Sequence, residues 1–299
     1  MNLFATFQLG EIVDRALRED VGTGDLSAQI LAPDLTGQAK IYAKAQGIVA
    51  GLAVVEEVFL RVDPLIECRV FWQDGVEVKP GNTVMELEGP LRGILQGERT
   101  ALNFLQHLSG IATATRRAVE LVKGWPAAIT DTRKTLPGLR MLQKYAVTMG
   151  GGRNHRFGLY DAVMLKDNHL AAAGGVRPAV ERARARIGQM VKIEVECESL
   201  EQVEEAAACG ADVIMLDNMP LRAMRQAVSL VGHRALVEAS GGIHEGNLRE
   251  VAETGVDLIS LGSLTHSVQV LDFSLDVGDI KPSALRRWQG EKKDEGHGA

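Results

Sequence analysis

The chain has 299 residues, of which 45% are hydrophobic, 24% are charged and 4% are aromatic, and its formal net charge is −6. This length suits one large α/β domain or two domains, while the acidic balance and the few aromatic rings argue against nucleic acid or anionic membranes as partners. No apolar run approaches the roughly 18 residues of a membrane-spanning helix, and the start of the chain lacks a signal-peptide pattern. The three scattered cysteines are typical of a reduced protein, so we expect a cytoplasmic location.

The chain divides near residue 110, and the part before that point mixes helical and strand patterns. Apolar spacing predicts helices over residues 10–19 and 52–62. Strands are predicted over residues 40–44, 68–72 and 83–87. A long helical stretch over 98–123 follows, in which Ser109 and Gly110 could form a break or a kink.

From residue 127 onward the pattern becomes regular, because strand-length apolar runs alternate with helical segments. Six strands are predicted, over residues 128–130, 162–165, 191–195, 213–216, 235–237 and 258–261. Helices are predicted between most of them, over residues 138–149, 176–187, 200–209, 220–231 and 245–254. Such alternation implies parallel strands with helical crossovers, in an open doubly wound sheet or a barrel. The polar tail over 286–299 is expected to be frayed.

One segment of this acidic chain is cationic. Between Asp131 and His169 there are seven Lys or Arg residues and three Asp or Glu residues, so the segment carries +4 and the rest of the chain −10. A small ligand with several negative charges would account for this concentration of basic residues.

Polar groups follow almost every predicted strand of the second part. They are, in chain order, Asp131, Arg133, Lys134, Lys166, Glu196, Asp217, Ser240, Gly241, Gly242, Gly262 and Ser263. Ligands bind at the carboxyl ends of strands in parallel α/β folds, so we expect these residues to meet at one rim. A single member could be a helix cap or a surface charge, but independent caps would rarely include Lys, Glu and Asp in turn.

The residue types at this rim indicate their chemistry. Carboxylates or phosphates could be held by four basic residues, Arg133, Lys134, Arg156 and Lys166. Glu196 and Asp217 could hold ribose hydroxyls or Mg²⁺, which prefers oxygen ligands. The loops at 240–242 and 262–263 could cradle a phosphate with backbone N–H groups.

Other features are open to more than one interpretation. His155 and His169 could carry protons or donate to phosphate, although a strand-end hydrogen bond is the simpler interpretation of His169. Lys166 follows an apolar strand and could be a Schiff-base lysine, as in an aldolase-like barrel. Gly22 and Gly24 lack the third glycine of a dinucleotide fingerprint and do not follow a clear strand, which argues against a Rossmann site.

Nine ordered motifs, spread over nearly the whole chain, resemble those of the quinolinate phosphoribosyltransferase family. They are EDVGTGDL at 19–26, GERTALN at 97–103, DTRKT at 131–135, NHR at 154–156, LKDNH at 165–169, EVE at 194–196, LDN at 216–218, EASGG at 238–242 and GSLTH at 262–266. Nine motifs in one order are highly specific. One mild difference is Gly-Ser-Leu at 262–264, where the family has Gly-Ala-Leu.

The resemblance implies an N-terminal α/β sandwich domain over residues 1–112 and an open six-stranded parallel α/β barrel over 113–285, which is the type II phosphoribosyltransferase fold. It also implies a homodimer in which Arg99 reaches into the active site of the partner. Taken alone, Arg99 would be interpreted as an ordinary charge on a helix surface. No nucleic acid or membrane partner is implied.

The activity implied by the resemblance is a pentosyl transfer in NAD biosynthesis. Quinolinate and phosphoribosyl pyrophosphate, with Mg²⁺ and no nucleotide cofactor, give nicotinate mononucleotide, pyrophosphate and carbon dioxide. Both substrates are polyanions, which would account for the cationic segment.

The resemblance also assigns residue roles. The quinolinate carboxylates would be held by Arg99, Arg133, His155, Arg156 and Lys166. Lys134 would be shared toward pyrophosphate, Thr135 is counted with the substrate-binding residues, and Glu196 and Asp217 would bind the ribose hydroxyls and Mg²⁺. The 5′-phosphate would lie against Ser240, Gly241, Gly242, Gly262, Ser263 and Leu264. The catalytic residues are expected to be Lys134, Lys166, Glu196 and Asp217.

Three other functions stay open at this point. A phosphoribosyltransferase-like protein of the same fold could use another substrate, a lyase could form a Schiff base on Lys166, or a non-catalytic module could bind anions. The sequence also leaves open which group protonates the ring carbon after decarboxylation.

Overall fold

The computed structural model describes residues 7–280. These residues form two compact units, the first combining 7–113 with 269–280 and the second comprising 114–268. The predicted tail over 286–299 lies outside the described residues. Within the described part, no helix is long and apolar enough to cross a membrane.

The elements follow one another in two stretches of chain. The first stretch contains α1 (Phe7–Asp20), β1 (Thr36–Ala43), β2 (Gly47–Ile48), α2 (Leu52–Val62), β3 (Glu67–Val70), β4 (Glu77–Val78), β5 (Thr83–Pro90) and α3 (Leu91–Leu121). The second contains β6 (Ala128–Thr130), α4 (Arg140–Met149), β7 (Val163–Leu165), α5 (Asp167–Ala173), α6 (Val176–Arg184), β8 (Ile193–Cys197), α7 (Leu200–Ala208), β9 (Val213–Asp217), α8 (Leu221–Val231), β10 (Leu236–Ser240), α9 (Leu248–Ala252), β11 (Leu258–Ser260), α10 (Ser263–His266) and β12 (Phe273–Ile280).

The first unit is built on a four-stranded antiparallel sheet in the order β12-β1-β5-β3. Helix α2 has the bounds that the sequence predicts. It buries Val54, Val55, Val58 and Phe59 completely, because helical spacing puts these positions on one face. Burial of each such side chain contributes about 1.5–3 kcal/mol.

Helix α3 runs without interruption through Ser109 and Gly110, so the predicted break is wrong. The Ser109 hydroxyl is buried, accepts the N–H of Ala50 at 3.0 Å and donates to its carbonyl at 3.3 Å. Four residues further on, Thr113 accepts the N–H of Ile48 at 2.9 Å. These small polar residues therefore bind a neighbouring segment instead of ending the helix.

Residues 269–280, at the end of the described chain, belong to the first unit. The predicted barrel domain, by contrast, continues to residue 285. Strand β12 pairs antiparallel with β1, with Ala43 opposite Phe273 and Ile41 opposite Leu275. The side chains of Phe273 and Leu275 are 2% and 8% exposed. Pairing with an N-terminal strand thus returns this segment to the first sheet.

The second unit contains six parallel strands in the order β6-β11-β10-β9-β8-β7. If the two ends of this list are joined into a ring, the strands follow one another in chain order from β6 to β11, as in a barrel. In a doubly wound sheet the order of the strands instead reverses in the middle of the sheet. Among the described strands, β6 and β7 are the two edges, so the barrel is open between them. The predicted fold, an open α/β barrel with a separate N-terminal α/β domain, is confirmed.

Candidate active site

A cleft of about 680 Å³ opens at the carboxyl ends of the barrel strands. Ten predicted site residues line it, namely Arg133, Lys134, His155, Arg156, Lys166, Glu196, Asp217, Ser240, Gly241 and Gly242. Six further lining residues were not predicted as site residues, namely Thr132, Met164, Met215, Asn218, Glu238 and Ser260. The strand-end rule thus locates most of the rim, but it misses the four of these six residues that lie within strands.

The remaining predicted residues lie elsewhere. Thr135 accepts a hydrogen bond from Arg140 Nε at 2.9 Å. Ser263 and Leu264 form the start of α10, where Leu264 is buried in the barrel core. Gly262 lies against the Lys134 side chain, since a Cβ added to it would be 2.9 Å from Lys134 Cδ. Arg99 is exposed on α3, in the first unit.

A buried ion pair supports the loop that carries the NHR motif. The side chains of Asp131 and Lys144 are both 0% exposed and form a direct salt bridge. Asp131 also accepts the N–H of His155 at 2.9 Å, and Lys144 donates to the His155 carbonyl at 2.9 Å. With its nitrogen turned toward the pair, the Asn154 amide donates to Asp131 Oδ2 at 2.6 Å. These two charges therefore hold the site together and are not available to a ligand.

Burial opposes the charge of each member of this pair. It raises the pKa of Asp131, against the opposing effect of Lys144, and lowers the pKa of Lys144, against the opposing effect of Asp131. Removing either partner would leave the other as an uncompensated charge in the interior.

Two guanidinium groups of the cleft repel each other. Burial, followed by the positive charge of Arg133, lowers the pKa of Arg156. Arg156 Nη1 donates to the carbonyl of Ala162 at 3.0 Å, but its buried Nε has no hydrogen-bond partner within residues 7–280. An anion between these groups would relieve the repulsion and supply the missing acceptor.

The acidic residues of the rim lie at the ends of neighbouring strands. Glu196, near the end of β8, accepts a hydrogen bond from Lys166 Nζ at 2.7 Å. Asp217, at the end of β9, accepts one from the Asn218 amide at 3.0 Å. Both carboxylates line the same cleft, and this donor set of hard oxygens suits Mg²⁺.

Both candidate histidines accept a backbone hydrogen bond through Nδ1. His169 Nδ1 accepts the N–H of Lys166 at 3.0 Å, which is the strand-end hydrogen bond of the simpler interpretation. His155 Nδ1 accepts the N–H of Arg156 at 2.8 Å, while its Nε2 lies 3.0 Å from Glu194 Oε2. Both ring nitrogens of His155 thus have neighbours within the protein, although the residue lines the cleft.

Burial lowers the pKa of His155, but the hydrogen bond to Glu194 and the charges of Glu194 and Glu238 outweigh it, so that the net direction is upward. The N–H of Arg156 opposes a second proton on the ring, because it needs Nδ1 as an acceptor.

The glycines after β10 have backbone conformations that other residues rarely adopt. Gly241 has a φ of +84° and Gly242 a φ of +61°. A Cβ at Gly241 would collide with the amide of Asn218. Successive left-handed residues of this kind can turn backbone N–H groups toward an anion.

Comparison with known proteins identifies the family. Sequence profiles for quinolinate phosphoribosyl transferase match residues 25–109, as its N-terminal domain, and residues 111–276, as its C-terminal domain. A probable nicotinate-nucleotide pyrophosphorylase (carboxylating) of Bacillus subtilis is 49% identical over 270 residues, which cover 90% of this chain and 93% of the relative. One of Methanocaldococcus jannaschii is 42% identical, over 89% of this chain and 96% of the relative.

Solved structures agree with the sequence relatives. NadC from Streptococcus pyogenes has a TM-score of 0.88 and 44% identity, covering 91% of this chain and 98% of that one. The nicotinate-nucleotide pyrophosphorylase from Francisella tularensis has a TM-score of 0.88 and 38% identity, covering 91% and 96%. The resemblance carried by the nine motifs is thereby confirmed, and the chain belongs to the quinolinate phosphoribosyltransferase family.

Proposed function

We propose that this protein transfers the phosphoribosyl group of phosphoribosyl pyrophosphate to quinolinate and releases carbon dioxide, as a pentosyltransferase of NAD biosynthesis. The observation that carries the proposal is the content of one cleft, where four basic side chains, the two carboxylates at the rim and a glycine loop meet in a chain of this family. Both substrates carry several negative charges, which the basic side chains would balance.

The basic residues would hold the dicarboxylate. Arg133, Arg156 and Lys166 line the cleft, and the buried Arg156 Nε without a partner among the described residues favours a planar carboxylate there. Lys134 would face the pyrophosphate. The carboxylates of quinolinate would neutralise these cations, which repel one another in its absence. The resulting contacts would hold quinolinate in place before the reaction begins.

The carboxylates would serve the ribose. Glu196 and Asp217 would bind its hydroxyls and stabilise the positive charge that develops on the sugar as pyrophosphate departs. They also fit Mg²⁺, which, when bound, would neutralise charge on the pyrophosphate. Gly241 and Gly242 would bind the 5′-phosphate through backbone N–H groups, which their left-handed conformations allow.

Decarboxylation would then follow from the new bond. Alkylation makes the ring nitrogen positive, the adjacent carboxylate leaves as carbon dioxide, and the electron pair left on the ring carbon is stabilised by that nitrogen until a proton replaces it. Such a step depends on the position of the ring more than on a dedicated acid or base.

The direct experiment measures carbon dioxide from carboxyl-labelled quinolinate, together with nicotinate mononucleotide. We expect both products in equal amounts, and only when phosphoribosyl pyrophosphate and Mg²⁺ are present. A reaction with nicotinate in place of quinolinate is the control for substrate identity. Absence of turnover by pure protein under these conditions would contradict the proposal.

Schiff-base chemistry on Lys166 is not favoured. Lys166 is half-exposed and forms an ion pair with a carboxylate, whereas Schiff-base lysines are activated by burial or by a neighbouring cation.

We also propose a cytoplasmic homodimer in which Arg99 completes the partner's site. The exposure of Arg99 on α3 and the three free thiols are compatible with this assembly and location. Mixing Arg99→Ala chains with Lys166→Ala chains should restore about one quarter of wild-type turnover, since half of the dimers are mixed and each has one intact site. Each variant alone should be nearly inactive, and mixing that restores nothing would show that Arg99 does not act across an interface.

A further inference from the structure

A buried carboxyl group at the floor of the cleft has no role in the proposed reaction so far. Glu238 lies inside β10, between the core residues Val237 and Ala239, and its side chain is 0% exposed. Neither of its carboxyl oxygens makes a hydrogen bond of good geometry in the described part of the chain, although the Ser260 hydroxyl lies close enough to favour the charged form. Its Oε2 is 3.6 Å from His155 Nε2, which also lies 3.0 Å from Glu194 Oε2. A buried carboxyl group in this state requires an explanation.

A metal ion is one candidate explanation. Potential ligand atoms of His155, Glu194 and Glu238 all lie within 4.8 Å of one another. However, a metal would need the lone pair of His155 Nε2, and the ring proton would have to move to Nδ1. Because Nδ1 already accepts the N–H of Arg156 at 2.8 Å, that proton would face another donor. The geometry therefore keeps the proton on Nε2 and excludes this nitrogen as a ligand.

The alternative is that His155, Glu194 and Glu238 share two protons. One is on His155 Nε2, and the other is on one of the two carboxyl groups. A single N–H of His155 faces two carboxyl groups, and it is closer to Glu194 than to Glu238. Ionising both would place two negative charges side by side in the interior, and although these charges favour an imidazolium between them, the N–H of Arg156 at Nδ1 opposes a second proton on the ring. Glu238, which is the more buried of the two and lies farther from the His155 N–H, is the group that fits the protonated state.

We propose that Glu238 is a positioning residue that acts as a neutral carboxylic acid and, together with Glu194, holds the His155 imidazole in the tautomer that binds the backbone of Arg156. The ring then links the floor of the cleft to its basic residues. The backbone N–H of Arg156 donates to the ring, and Arg156 also lines the cleft. The expected effects on the KM for quinolinate rest on the proposed function, whereas the protonation state of Glu238 does not depend on it.

The charges around Glu238 support the same state. Burial, followed by the charge of Glu194, raises the pKa of Glu238 to about 7. Glu194 faces it from β8, His155 from the NHR segment and Ser260 from β11, while Asp131 acts from beyond β6 and is itself paired with Lys144. The charged group at the end of β9 is Asp217. Raising the pH through 7 would therefore ionise Glu238 and put a second negative charge beside the site for a dianionic substrate.

Replacing Glu238 by glutamine and by alanine tests whether the residue acts as a neutral acid or as a charged carboxylate. Glu238→Gln keeps the shape of the neutral acid, so its KM for quinolinate should stay within a few-fold of the wild-type value, whereas Glu238→Ala should raise it by roughly tenfold. In the wild-type protein this KM should rise between pH 6 and pH 8, and in Glu238→Gln that rise should disappear. Equal damage by glutamine and alanine, or an unchanged pH dependence, would overturn the proposal.

A second measurement does not depend on activity. The infrared difference spectrum between wild-type protein and Glu238→Gln at pH 6 should contain the carbonyl stretch of a protonated carboxyl group, and this band should fade toward pH 8. A carboxylate band in its place at pH 6 would overturn the proposal even in a protein that fails to turn over quinolinate. Glu198→Gln, an exposed residue beyond β8, is the matched control and should show no protonated carboxyl band.

Discussion

Replacing Lys144 by methionine is expected to lower the free energy of unfolding by about 3–5 kcal/mol, because it leaves Asp131 as an unpaired charge in the interior. Both side chains are fully buried, and Asp131 depends on Lys144 for its one salt bridge in the described chain. The same change removes the hydrogen bond to the His155 carbonyl and so loosens the loop that carries Arg156. Loss of stability and loss of activity should therefore appear together.

Urea unfolding measures this effect, and Lys123→Met is its control. Lys123 forms an ion pair with Glu120, but the two side chains are 75% and 56% exposed, so its replacement should cost less than about 1 kcal/mol. Adding Asp131→Asn to Lys144→Met should recover part of the loss, since no buried charge then remains unpaired. If Lys144→Met were as mild as Lys123→Met, the pair would not stabilise the loop as described.

The contrast between these two lysines also shows what charge counting can and cannot predict. Lys144 contributes to the cationic segment in the sequence, yet in the structure it is neutralised by Asp131 and never reaches the cleft. Arg140 is similarly occupied, since it donates to Thr135 and to the carbonyls of Phe157 and Arg133. The prediction of an anion site is compatible with the cleft, but only part of the basic segment can contact a ligand.

The barrel strands were predictable because buried parallel strands are short, apolar and separated by helices. Their order was not, since a doubly wound sheet and a barrel have the same local pattern and differ only in which strands are neighbours. Strand β12 illustrates the same limit. Phe273, Leu275 and Val277 alternate with polar residues, a strand signal that was present in the sequence. Its partner β1 lies near the other end of the chain, and local periodicity does not indicate such a pairing.

The floor of the cleft was harder to predict than its rim. Glu238 and Ser260 lie within or at the end of buried strands, where the strand-end rule does not look. A glutamate inside an apolar run was a usable signal, because acids are almost never fully buried without a partner. His155 shows the opposite case, a motif residue whose ring nitrogens both turn out to be bonded within the protein.

Glu196→Gln is expected to lower kcat/KM by about 100-fold to 1,000-fold, the cost of removing one charged group that stabilises the transition state. Glu196 accepts a hydrogen bond from Lys166 Nζ at 2.7 Å and so would compete with an anionic substrate for that cation. The same substitution should therefore tighten the binding of quinolinate, measured by calorimetry, while it slows turnover. A residue that only bound substrate would show weaker binding instead.

The double variant Glu196→Gln with Lys166→Met tests whether the two charges act as one unit. If they do, the double variant should be little worse than the more damaging single change, because the interaction is lost once either partner is removed. Glu198→Gln, an exposed residue just beyond the end of β8, should stay close to wild-type activity. Anion binding that is unchanged by Glu196→Gln, in a protein that shows no turnover with or without the substitution, would instead favour a module that binds anions without catalysis, since binding alone needs the cations and not the carboxylate that opposes them.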